Sequence, residues 1–246
     1  MSSTVNFIPV VELAAQPYIQ AGKFAWHWAK GKLSGDPAFA HILRLGLIKD
    51  GDKVIDIGCG QGLFASCLWA AEQQQTKGLW FQGWSPAPRN VKVHGIELMQ
   101  SDVDRANEAL KNIAGLASFE CADMCKANFE PCNVVVVLDV LHYVNYDNQN
   151  DVLNRIAKAL REGATSTSNG KLLLRVGDAS AGLPFKISNW VDHVVTFARG
   201  HRLPRLYCRS VKEWTQFLSV IGFSVQPMAM HEGTPFANIM LICELQ

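Results

Sequence analysis

Long hydrophobic runs are missing from this chain. Its wholly apolar stretches, such as Val134–Leu138, are far too short to cross a bilayer, so no membrane span is expected. A charge of one sign is missing too. The 23 Lys and Arg residues stand against 22 Asp and Glu, a formal net charge of +1. That balance removes any bulk electrostatic case for nucleic acid or an anionic membrane and leaves only local patches. Charged residues make up 18% and hydrophobic residues 48%, which excludes a disordered or collagenous chain. No internal repeat is visible, and the opening residues lack the basic, apolar and small-residue succession of a signal peptide.

Paired cysteine spacing is also lacking. Cys59, Cys67, Cys121, Cys125, Cys132, Cys208 and Cys243 are scattered and read as reduced thiols of a cytoplasmic protein. The cluster Cys121, Cys125 and Cys132 fits no zinc pattern, so no metal is expected.

What is present is alternation. From Lys53 onward, short apolar runs take turns with helical patterns, the signature of βα units on a mostly parallel, doubly covered sheet. Seven strands are expected: Lys53–Ile57, Val91–Glu97, Ser118–Cys121, Asn133–Asp139, Lys171–Val176, Phe223–Met230 and Ala237–Leu245. Helices are expected at Gly62–Gln73, Ser101–Ile113, Asn148–Leu160 and Ser210–Ile221, the last closed by Gly222. His231–Pro235 is too short for a helical crossover, which makes the final two strands an antiparallel hairpin at a sheet edge. The 246 residues therefore divide into a helical segment, 1–50, broken at Gly and Pro, and an α/β domain, 51–246, with an insertion at about 177–209. A second irregular stretch, Gln73–Asn90, carries Trp80, Phe81 and Trp84 and reads as a surface insertion whose aromatics pack on the sheet edge.

In Val54–Gly62 an apolar strand runs into a glycine-rich turn that opens a helix, so backbone can approach a ligand closely at the strand's carboxyl end. Asp56 sharpens this. A carboxylate two residues before Gly58 would repel a pyrophosphate but favours a ligand with a cationic end. The second strand ends in Glu97, an acid placed to accept from both hydroxyls of a ribose. The third ends near Asp123 and Met124, a carboxylate for an exocyclic amine and an apolar cover for a purine. The fourth ends in Asp139, at the lip of the sheet's switch point.

Four acids at four successive strand ends, after a glycine turn, resemble the class I S-adenosylmethionine-dependent methyltransferases. The likeness runs from Val54 to Val176, and the hairpin extends it to the C-terminus. It implies a Rossmann-like, seven-stranded, mostly parallel sheet with an antiparallel last strand and helices on both faces. It implies S-adenosylmethionine as cofactor, with Asp56, Gly58, Cys59, Gly60 and Gly62 around its methionine end. Glu97 with Leu98 would hold the ribose, Asp123 with Met124 would frame adenine, and Asp139 with Val140 would lie near the methionine amino group.

Methyl transfer is an in-line displacement from a cofactor that carries its own leaving group, so alignment and water exclusion can supply most of the catalysis. A base helps when the acceptor is a hydroxyl or a protonated amine. The candidates are His142, His201 and Asp178, the last directly after the fifth strand, where pairing with Arg175 is the structural alternative. Between His193 and Lys212 no acid occurs, while Arg199, His201, Arg202, Arg205, Arg209 and Lys212 do. This run reads either as a solvated loop or as an anion site for a carboxylate or a carrier-protein arm. The motifs Gly31–Pro37, Gln61–Leu63, Asp139–Tyr143, Arg175–Asp178, Gly200–Pro204 and Gly233–Asn238 together resemble methyltransferases of bacterial aryl-polyene or unusual fatty-acid pathways. That likeness implies a small aromatic or acyl-carrier-linked acceptor. A cofactor-binding non-catalytic subunit and an NAD-dependent oxidoreductase stay open as alternatives. An RNA methyltransferase is disfavoured by the neutral charge and by Asp139-Val-Leu-His142 in place of an Asn-Pro-Pro-Tyr motif.

Overall fold

The structure is a computed structural model that describes residues 7–113, 115–165, 169–177, 206–230 and 238–246. The chain divides into two compact units, Met1–Met124 and Cys125–Gln246.

In the first unit, three apolar runs form parallel strands β1 (Lys53–Ile57), β2 (Lys92–Glu97) and β3 (Ala117–Cys121), ordered β3-β2-β1. The register sets Asp56 beside Gly95 and Glu97 beside Cys121, so the acids of β1 and β2 sit at the same strand ends. Gly95 is required by packing: a Cβ there would lie 2.5 Å from the Phe119 ring and 2.7 Å from Cys59 Sγ. Helix α4 (Leu63–Thr76) follows the glycine turn and is buried continuously from Leu63 to Leu68, as suits a helix covered by other elements. Helix α5 (Gln100–Leu110) buries only Asp102, Val103, Ala106, Ala109 and Leu110, the single stripe of an amphipathic helix.

The N-terminal segment is richer than the one or two helices expected. It forms α1 (Ile8–Ala15), a 3-10 turn (Gln16–Ile19), α2 (Lys23–Gly35) and α3 (Pro37–Arg44). Gly22, at φ 107°, ends the 3-10 turn and starts α2. Asp36 stops α2 and caps α3, accepting from the Ala38 N–H at 3.0 Å, with Pro37 in the first helical position. In the insertion, Trp80, Phe81 and Trp84 gather with Phe7, which stacks on Trp84 at 5.9 Å. The stretch is tied down where Gln75 accepts from the Ala87 N–H and Glu72 from the Asn90 N–H.

In the second unit, β4 (Val134–Leu138) and β5 (Lys171–Gly177) are parallel, while β7 (Asn238–Leu245) runs antiparallel to both β5 and β6 (Phe223–Ala229). The expected hairpin is present, with β6 outermost. Helix α6 (Tyr146–Gly163) is capped by Asn145, and α7 (Val211–Val220) by a reciprocal Ser210–Glu213 box. Gly163 is another packing glycine, since a Cβ would lie 2.1 Å from the Cys132 carbonyl oxygen. The seven strands follow the order β3-β2-β1-β4-β5-β7-β6, the Rossmann-like sheet expected of the sequence. Among the described residues, no helix is long and apolar enough to cross a membrane.

Candidate functional site

The glycine turn folds as its composition demands. Gly58, Gly60 and Gly62 take φ of 73°, 54° and 75°, left-handed values that cost other residues about 1 kcal/mol or more. Two of them do different work. A Cβ on Gly60 would meet nothing within 4 Å, so its face is open, whereas one on Gly62 would lie 2.6 Å from the Phe119 ring. Gly60 leaves room for a ligand; Gly62 lets α4 start close against β3. Cys59 is buried beneath the turn, with its Sγ donating weakly to the Gly60 carbonyl at 3.7 Å, and burial pushes its thiol far above the ordinary range. It packs and does not react.

Glu97 holds the turn from the side. One carboxylate oxygen accepts from the Gly60 N–H at 3.0 Å and the other from the Met99 N–H at 3.0 Å. Each oxygen keeps a lone pair for a ligand hydroxyl. Leu98, immediately after it, is 62% exposed, a large apolar side chain left uncovered beside the acid. The Ala122 N–H donates to the Glu97 carbonyl at 2.9 Å, which brings the loop with half-buried Asp123 and Met124 alongside.

Asp56 is only 4% exposed. Desolvation, reinforced by the charge of Glu97, pushes its carboxyl up from 3.8 to about 7. A buried carboxylate so disfavoured is primed for a cationic partner. Nearby, Gln61 is buried; its Nε2 donates to Asp102 at 3.3 Å, while its Oε1 has no hydrogen-bond partner among the described residues. An acceptor shut away from water without a donor is costly until a ligand or water supplies one. Open space over Gly60 leaves room for a ligand, and the disfavoured Asp56 and the orphaned Gln61 Oε1 suit an amine or sulfonium end better than a pyrophosphate.

The second unit carries its own strand-end group. Asp139 follows β4 with φ 58°, rare for a residue with a side chain, and is fixed twice: its N–H donates to the Arg175 carbonyl at 3.2 Å and its carboxylate pairs with the Arg175 guanidinium. Arg175, whose side chain is 3% exposed, therefore pairs with Asp139. Val140 is half-buried beside it. His142 is buried against the Tyr143 ring, and desolvation lowers its pKa below 6.5 despite the opposing pull of Asp139, so it is neutral at pH 7. Gln149 holds the loop in shape, its Nε2 lying within hydrogen-bond reach of the carbonyls of Leu141, Val144 and Tyr207. Nothing in sequence marked this residue; a polar side chain on the buried stripe of α6 was the available signal.

His201 and Asp178 lie outside the described residues, as do Arg199, Arg202 and Arg205 of the basic run. Arg209, near the end of that run, is held by aromatic packing. Its guanidinium lies over the rings of Trp214, Tyr146 and Phe217 at 4.9–5.4 Å and donates to Asn150 at 2.8 Å, a packing role that charge counting could not reveal.

A family model described as "Methyltransferase domain" matches residues 25–223. Among solved structures, the pyocyanin biosynthetic protein PhzM is 17% identical with a TM-score of 0.60, covering 91% of this chain and 58% of its own. Magnesium protoporphyrin IX methyltransferase from Synechocystis PCC 6803, solved with bound SAH, is 17% identical at TM-score 0.54, covering 100% of this chain and 90% of its own. An O-methyltransferase from neocarzinostatin biosynthesis, solved with S-adenosylmethionine and a hydroxynaphthoic acid, is 17% identical at TM-score 0.57 over 96% of this chain and 60% of its own. The chain thus spans less than two thirds of the length of the first and third of these, and at such identities the likeness is one of fold.

Proposed function

The chain belongs to the methyltransferase-domain family, and from that premise we propose that it transfers a methyl group from S-adenosylmethionine to a small-molecule acceptor. The observation that carries this reading is the turn itself: a buried, disfavoured Asp56 beneath an open Gly60, with Glu97 bonded to the Gly60 N–H. Glu97 and Leu98 would hold the ribose, Asp123 and Met124 the adenine, and Asp56 with the turn the cationic amino-acid end. When bound, the cofactor supplies an activated methyl group on a sulfonium with a neutral thioether as leaving group.

Asp56 keeps its charge in the loaded site because a positive neighbour lowers the cost of ionising it. Gly60 and Glu97 orient, which is the larger part of catalysis for an in-line displacement. His142 is neutral at pH 7 and so is in the form that accepts a proton from an acceptor hydroxyl. An aromatic or acyl-carrier-linked acceptor is our finer proposal. It is supported by the resemblance of Gly31–Pro37, Arg175–Asp178 and Gly233–Asn238 to pigment and fatty-acid pathway enzymes.

The test is methyl transfer itself. Incubation with methyl-labelled S-adenosylmethionine and separate aromatic-acid and acyl-carrier fractions should label one fraction, and His142→Phe should slow labelling of a hydroxyl acceptor by roughly 100-fold or more. Cofactor binding with no label in any fraction favours a non-catalytic subunit instead.

A further inference from the structure

Tyr18 belongs to no strand end, yet it touches the cofactor turn. Its ring is 0% exposed, and its hydroxyl donates to the Gln61 carbonyl at 2.7 Å. That carbonyl sits between Gly60 and Gly62, both left-handed, so the bond grips the turn at its least self-supporting point. A second buried bond lies one helical turn further on, where Ser66 Oγ in α4 donates to the Ala14 carbonyl of α1 at 2.7 Å. The side chain of Gln61 is held from another direction by Asp102 of α5, itself paired with Arg105. Burial, with Cys59 and Asp56 nearby, raises the Tyr18 phenol well above its ordinary range, so its O–H remains a donor at every physiological pH.

Tyr18 also leads directly into a helix. The 3-10 turn that carries it is closed by N–H bonds from Gln20, Ala21 and Gly22, and Gly22 then opens α2. Helix α2 leaves Phe24 70% and Trp28 36% exposed, with His27 exposed between them and its ring against Trp26 at 4.5 Å. The Tyr18 hydroxyl thus links the backbone of the glycine turn to the segment that starts this helix.

We propose that Tyr18 is a positioning residue that couples the Gly60–Gly62 turn to the segment leading into α2, so that loading the turn with cofactor orders residues 16–22 and sets α2 before an acceptor binds. The proposal rests on the S-adenosylmethionine reading of the turn. A ligand that fixes the turn fixes the Gln61 carbonyl, and a fixed acceptor strengthens the Tyr18 bond by the same factor as the bond strengthens ligand binding.

Hydrogen exchange on the unaltered chain, with and without S-adenosylmethionine, is the first arm. Cofactor should slow exchange at the turn and also at Gln20, Ala21 and Gly22. The second arm is Tyr18→Phe, which keeps the ring and removes the donor. It should weaken cofactor binding by ~2- to 10-fold, the worth of one net hydrogen bond, and abolish the remote protection while leaving protection at the turn. Ser66→Ala, which removes the bond away from the turn, should retain the remote protection even if it melts earlier. A merely structural Tyr18 would lower the melting temperature and leave the cofactor-induced pattern intact. Cofactor binding by the unaltered chain without protection at Gln20–Gly22 overturns the coupling alone, even if Tyr18→Phe does not fold. No binding by the unaltered chain overturns the cofactor reading and the coupling with it.

Discussion

At the scale of single residues, Asp56 trades stability for binding. An acid whose folded pKa lies above its unfolded value holds more protons in the folded chain between those values, so stability falls as pH rises through that window. For Asp56 the window runs from 3.8 to about 7. At ~1.4 kcal/mol per tenfold, the cost is fully present above pH 7 and is on the order of 4 kcal/mol. Asp56→Asn should therefore stabilise the ligand-free chain at pH 8, by an amount visible in urea titration, while cofactor binding is lost. In the unaltered chain, cofactor affinity should decline as pH falls below about 7, where Asp56 takes up a proton, and binding at pH 6.5 should release protons measurable by calorimetry in buffers of different ionisation enthalpy. Asp139 offers the opposite case. Asp139→Ala removes one partner of the buried Arg175 guanidinium and should cost ~1–3 kcal/mol in chemical denaturation, whatever its effect on binding.

At the scale of elements, the turn between β1 and α4 divides its labour between two glycines that sequence presents as equals. Gly62→Ala meets the Phe119 ring at 2.6 Å as well as a left-handed backbone, so it should cost ~2–4 kcal/mol of stability. Gly60→Ala meets no atom, only the backbone penalty, so it should cost ~1 kcal/mol yet reduce cofactor affinity at least tenfold by filling the open face. Paired denaturation and binding measurements on the two variants separate a packing glycine from a binding one. Periodicity found β1, β4 and the hairpin because buried strands are apolar runs with few alternatives. It missed the number of N-terminal elements because short helices broken at Gly22 and Pro37 share one continuous mixed pattern. It read Arg209 by its charge alone because the Tyr146 ring beneath it comes from α6, 63 positions away.

At the scale of the whole molecule, the acids Asp56, Glu97 and Asp139 were legible because each follows an apolar run that announces a strand end. Their partners were not. That Glu97 would bond the Gly60 N–H, Tyr18 the Gln61 carbonyl, and Arg175 Asp139 depends on contacts between residues more than thirty positions apart, which no local pattern encodes. The same limit applies to the acceptor, whose candidate residues His201 and Asp178 lie outside the described residues. The folded chain adds to the four-acid pattern a disfavoured carboxylate and an orphaned acceptor, which suit a cation better than a pyrophosphate. Calorimetric titration of the chain at pH 8 with S-adenosylmethionine and, separately, with NAD tests this most directly. Saturable, one-to-one binding of S-adenosylmethionine and none of NAD is the expected outcome; selective binding of NAD, or binding of neither, would contradict it.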